Sequence, residues 1–223
     1  MAQLSRAFLW LVRKELLLAA RNPVLLATQA LFTLAMAVAA GALEHSSLLE
    51  PGFSLPPMLA ALALFQAVFT AYTSYIREAE WGTLEALRTS PVDPGLVYLA
   101  KTLYSAASIF LTTLAFLPVY AVLASPPIPL WGYLMLGGWI LLSSLLLGGV
   151  ASLSSAMLSY SRNQALLTPT VLAVVSAPYM RVASRPLADL GAGLEPPGGW
   201  WAALAAAALL FTLVGYSLSR QLS

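Results

Sequence analysis

Six stretches of this chain hold almost nothing but apolar side chains, and most are long enough to cross the hydrocarbon core of a bilayer. A helix needs about 20 mostly apolar residues for that crossing. Val24 to Leu43 and Pro57 to Ile76 are the first two, followed by about Leu96 to Ala124 and about Leu130 to Met157. A short fifth, about Ala165 to Met180, is interrupted by Pro169 and Pro178, and a sixth covers about Trp200 to Leu218. These runs are Leu/Ala-rich and lack the alternation of barrel strands, so they read as helices. Only 9% of the 223 residues are charged and 60% are hydrophobic. Soluble domains carry roughly 25% charged residues, and a surface of this size needs polar cover in water. The expected fold is an all-α membrane protein of six transmembrane helices, with the lipid bilayer as its solvent.

Charge sets the expected orientation. Arg6, Arg13, Lys14, Arg21, Arg77, Arg88, Lys101, Arg162 and Arg220 fall on one side of the six spans, and only Arg181 and Arg185 on the other. A split of that kind puts both termini and the 77–101 segment in the cytoplasm. Ala37-Val38-Ala39 resembles a signal-peptide cleavage site, but the first apolar run is too long for a signal core. Residues 1–22 form a separate expectation, an amphipathic interfacial helix ahead of a 23–223 permeating body. At about 100° per residue, Arg6, Arg13, Lys14 and Arg21 share one stripe, Trp10 suits the interface, and Pro23 forces a break after Asn22.

Between spans two and three lies REAEWGTLEALRTSPVDPGLVYLAK, Arg77 to Lys101, with seven of the chain's twenty Lys, Arg, Asp and Glu residues. A charged segment between apolar runs has to lie at the membrane surface, within reach of a partner. Trp81, Leu84 and Leu87 fall at helical spacing, and Glu85 can pair with Arg88 across an i,i+3 step. Ser90-Pro91 ends that short helix, and Asp93-Pro94 caps the start of the third span. Lys101 sits two turns into that span, where its stem can snorkel to the surface. In the fourth span Ser144, Gly148, Ser152 and Ala156 recur every four residues, a small-residue seam at which helix backbones approach closely.

Several chemistries are excluded. Gln29 and Gln66 are the strongest polar groups near the middle of any span, whereas ion-coupled carriers need an ionisable one. The two lysines, in RKEL and LAKT, form no phosphate-binding loop. There is no Ser-His or paired-carboxylate arrangement, and no cysteine for disulfides or c-type haem attachment. The single histidine, His45, sits in an outer loop beside Glu44. The pI near 9.0 rests on a net charge of only +2, without the basic patch that nucleic acid requires. Energy for any transport has to enter through a partner.

The pattern Arg77, Gly82-Thr83-Leu84-Glu85, Leu87, Ser90-Pro91, then Lys101, resembles the second-loop signature of haem-exporter permeases, the B subunit of bacterial cytochrome c maturation systems. The opening RKELLLAARNP is similar to the start of that family, as are the length, the six spans and the Pro-interrupted LLTPTVLAVVSAPYM. The wider class of type-2 ABC exporter permeases shares the elbow helix, the spans and the loop. The resemblance implies the membrane half of an ABC transporter in a bacterial or archaeal cytoplasmic membrane, itself not an enzyme. An ATP-hydrolysing subunit would seat on a short coupling helix, with Glu78, Glu80, Trp81, Leu84, Glu85, Leu87 and Arg88 as the contact residues. It implies further a homodimer, haem-handling C and D membrane subunits, and haem as the transported or handled ligand, with no covalently bound cofactor. A type-2 exporter of lipid, drug or polysaccharide remains open, as does a non-transporting scaffold, which would leave a partner ATPase unchanged.

Overall fold

A computed structural model of the chain describes residues 2–45, 54–90, 92–126, 128–159, 164–191, 194 and 196–221. The regular elements among them are all helical: α1 (Ala2–Ala20), α2 (Pro23–Glu44), α3 (Leu55–Ala71), α4 (Arg77–Glu80), α5 (Thr83–Arg88), α6 (Pro94–Ala124), α7 (Leu130–Leu158), α8 (Gln164–Gly191) and α9 (Gly198–Gln221). In lipid the backbone has no water to bond, so each spanning segment satisfies its own amides. Length and apolarity qualify α2, the Leu55–Glu80 rod, α6, α7 and α9 to cross a membrane, while the apolar stretch of α8 is shorter, Leu167–Ala177.

Local chemistry sets the breaks. The Asn22 side chain accepts from Leu25 N at 3.1 Å with Pro23 at the first helical position, and Asp93 accepts from Gly95 N at 2.8 Å ahead of Pro94. The Asp93 cap and the break at Pro23 are the ones that the sequence predicts, and the Asn22 cap is an addition of the structure. The fifth span departs from expectation, because α8 continues through Pro169, Pro178 and Pro186 to Gly191. An internal proline removes one hydrogen bond and bends a helix without ending it. Arg181 and Arg185, expected in an outer loop, therefore lie within α8.

Helices α6 and α7 form the centre. A Cβ on Gly148 would lie 2.7 Å from the Ala106 backbone nitrogen, and Ser152 Oγ is 3.5 Å from Ser105 Oγ. The small-residue seam of α7 is thus occupied by α6 of the same chain. Helix α9 crosses α6 through two reciprocal contacts, Gly95 under the Tyr216 ring and Gly215 under the Tyr98 hydroxyl. That hydroxyl also lies 3.2 Å from the carbonyl of Gly149 on α7. Trp139, Tyr120, Phe116 and Leu136 are fully buried between the helices. Leu31, Leu34 and Val38 of α2 and Leu209, Leu210 and Leu213 of α9 remain exposed, as lipid-facing side chains do.

The rod from α3 to α4 is not uniform. Tyr72–Ile76 make a π-helical turn between them. One extra residue per turn rotates everything beyond it, and such turns recur at functional sites. Here the Tyr75 amide meets Ser155 Oγ of α7 at 3.0 Å, and the next two residues, Arg77 and Glu78, are both buried.

Candidate functional site

Arg77 and Glu78 enter a cluster of five charged side chains drawn from three helices. Lys14 Nζ of α1 donates to Glu78 Oε1 at 2.5 Å. Lys101 Nζ of α6 lies 3.0 Å from Glu15 Oε1 and 3.1 Å from Glu78 Oε1, and it also donates to the Ser74 carbonyl at 3.3 Å. Arg77 Nη2 is 3.5 Å from Glu15 Oε2. The Lys101 ammonium stands 4.9 Å from the centre of the Tyr75 ring. Glu15, Arg77, Glu78 and Lys101 are all buried, and Lys14 alone reaches solvent. Three cations and two carboxylates therefore lock α1, the α3–α4 rod and α6 together at one end of the bundle. Attraction between charges taken out of water is strong, but so is the cost of leaving any one unmatched.

Beyond the cluster the chain turns outward. Trp81 caps α4, and Gly82 follows at φ +68°, a left-handed conformation that glycine adopts without steric cost. Thr83 Oγ1 donates to the Glu78 carbonyl at 3.3 Å and closes the turn, and α5 then runs only from Thr83 to Arg88. Trp81 is 62% exposed, with the Arg77 guanidinium 5.4 Å from its ring. Glu80 and Glu85 are exposed, and Leu84 and Leu87 are half-buried. Glu80 accepts from the Tyr72 hydroxyl at 2.7 Å. The Arg88 side chain and Pro91 lie outside the described part, and so does the expected Glu85–Arg88 pair.

Three expectations need correction here. One short helix around Glu78 to Arg88 is in fact two pieces, because Gly82 breaks it. Glu78 does not face outward with Glu80 and Glu85, since the π turn rotates it into the bundle, where Lys14 and Lys101 hold it. Lys101 does not snorkel, because two buried carboxylates supply a nearer partner than water. Sequence reasoning missed Glu15 altogether. Its signal is a single carboxylate in a helix whose other charges are all cationic, but its partners lie 62 and 86 positions away.

Asp93 and Arg220 approach to 3.7 Å, so the C-terminal end of α9 stands at the same end of the bundle as α1 and α5. At the opposite end, Glu44 accepts hydrogen bonds from Ser54 and Tyr120, and His45 Nε2 meets the Leu123 carbonyl at 2.7 Å. His45 is therefore engaged in closing α2 onto α6. Between the two ends lies a buried polar layer. Gln66 is fully buried, and neither amide atom has a partner among the described residues. Thr113 and Trp139 also carry buried polar atoms without a partner among the described residues, and with Ser143 and Tyr179 they line one small cavity. Among the described residues no group of three or more His, Cys, Asp or Glu side chains is placed to hold a metal.

An amphipathic first helix, a bundle of long apolar helices and buried ion pairs that tie that first helix to α4, just ahead of an exposed helical turn, together describe a multi-pass membrane protein. The family model described as ABC-2 type transporter matches residues 6–177, from α1 into α8, and the chain belongs to that family. It is accordingly a multi-pass ABC transporter permease. No curated protein matches the chain.

Proposed function

We infer that this permease is driven by a separate ATPase subunit that seats on Trp81 and α5, and that the ion cluster passes the stroke to the spans. The observation carrying this reading is the continuity from an exposed Trp81 to three helices joined by buried ion pairs. Trp81 and the half-buried Leu84 and Leu87 supply apolar anchors, and Glu80 and Glu85 complement a basic groove. A short rigid turn fused to α4 passes force on, where a loose loop would absorb it. Trp81→Ala and Glu85→Lys are expected to insert normally, while co-purification with the ATPase falls or hydrolysis uncouples from transport. Truncating a buried interface aromatic costs about 2 kcal/mol or more. Wild-type coupling in both variants would sink the assignment.

Haem export for cytochrome c maturation is the substrate reading, supported by the Gly82-Thr83-Leu84-Glu85 loop and the RKELLLAARNP opening. It carries with it a bacterial or archaeal cytoplasmic membrane, cytoplasmic termini, two copies of the chain, and C and D partner subunits. Haem is cargo in this reading, and the protein holds no covalent cofactor. Deleting the gene should abolish holocytochrome c while apocytochrome is still exported. Intact c-type cytochromes alongside a defect in lipid, drug or polysaccharide export would assign the permease to one of those cargoes instead.

A further inference from the structure

We propose that the outward face of α1 binds the phosphate headgroups of anionic phospholipids. Glu15 and Ala19 are buried against the bundle. At 3.6 residues per turn, Trp10, Arg13, Lys14, Leu17 and Arg21 fall roughly opposite them. With Leu18 these residues line an open groove of about 400 Å³ along a single helix. The Arg13 guanidinium lies 5.2 Å from the centre of the Trp10 ring. Lys14 is already committed to Glu78, whereas neither Arg13 nor Arg21 has a carboxylate partner among the described residues. The unspent positive charge of the groove is therefore carried by these two arginines.

The groove's depth follows from the chain itself. Arg21 stands two residues before Pro23, the first residue of a spanning helix, so it is within about 8 Å of the point where the backbone enters hydrocarbon. Val24 and Leu26 in the first turn of α2 are exposed and mark that boundary. Leu9, Trp10, Leu16 and Leu17 are also exposed, which gives the outer half of α1 a broad apolar surface with a cationic stripe through it. A soluble acidic protein would match the stripe and leave the leucines in water. A phospholipid satisfies both, with acyl chains against the leucines and phosphate on the arginine donors. The inference is independent of the transporter's cargo.

Native mass spectrometry and thermal unfolding of the detergent-purified chain provide the test, with Arg13→Gln/Arg21→Gln as the variant, since both side chains are exposed and the ion cluster is untouched. Phosphatidylglycerol is expected to bind and to raise the unfolding temperature, and phosphatidylcholine to do neither. The variant should fold normally and bind phosphatidylglycerol roughly thirtyfold more weakly, two basic residues' worth of surface attraction. Equal binding of the two lipids would overturn the proposal, as would an unchanged affinity in the variant. So would an equal response to inorganic phosphate, which would mark a free-anion site. Loss of ATPase association in the variant with lipid binding intact would reassign the face to a protein partner.

Discussion

At Glu15 one carboxylate meets three cations, with Lys101 at 3.0 Å, Arg77 at 3.5 Å and Lys14 at 3.8 Å. Removing its charge would leave three cations facing Glu78 alone in a buried site. Glu15→Gln, which keeps the shape, should therefore lower stability by about 3–5 kcal/mol, the usual cost of stranding a buried charge. Combining it with Lys101→Met should recover a large part of that loss, and a double-mutant cycle on thermal unfolding measures the coupling. Purely additive losses would show that the two groups do not interact. Gln66 presents the opposite case, because its buried amide atoms have no partner among the described residues. Gln66→Leu is expected to raise the unfolding temperature, as a desolvated amide without partners costs about 1–3 kcal/mol. A fall in that temperature would mean the amide is satisfied in the folded protein.

Helix by helix, what was legible in the sequence depended on how local its cause is. The break at Pro23 and the cap at Asp93-Pro94 are set within three residues, and the spans are set by length and apolarity, so both could be read directly. The split of the coupling segment was hidden because Gly82 is permissive in either a helix or a turn, and only its φ decides. The ion cluster was hidden because the π turn at Tyr72–Ile76 has no sequence signature of its own, yet it determines which way Glu78 points. The small-residue seam on α7 was legible as a site of close approach, but its partner was not, since the spacing fits a neighbouring helix of either chain. Its occupation by α6 sharpens one prediction. Gly148→Leu should destabilise the α6–α7 pair by at least the 1–3 kcal/mol typical of overpacking, because the atom met first is Ala106 backbone, which has nowhere to move. Wild-type yield and unfolding temperature for that variant would contradict this packing.

In the whole molecule, α1, α5 and the end of α9 share one end of the bundle, and Ser125 with the Glu44–Tyr120 contact marks the other. The positive-inside excess predicts that the first end is the cytoplasmic one. A single cysteine at Ser125 should therefore react with an impermeant thiol reagent applied to intact cells, and one at Thr89 should not, whereas labelling at Thr89 would invert the orientation. The two-copy assembly can be tested by the same cysteine strategy. With Ser144, Gly148 and Ser152 covered by α6, the surface left for a second copy lies on the exposed apolar faces, such as Leu31, Leu34 and Val38 of α2 or Val174 of α8. Cysteines scanned along α2 and α8 should give disulfide-linked dimers at positions three or four apart, tracing one helical face, while those at Ser144, Gly148 and Ser152 should stay monomeric. Dimers through the α7 seam would mean that α6 gives way to a second copy there. A solubilised complex containing one copy by mass, with no position cross-linking, would require the second half of the pathway to come from a different membrane subunit.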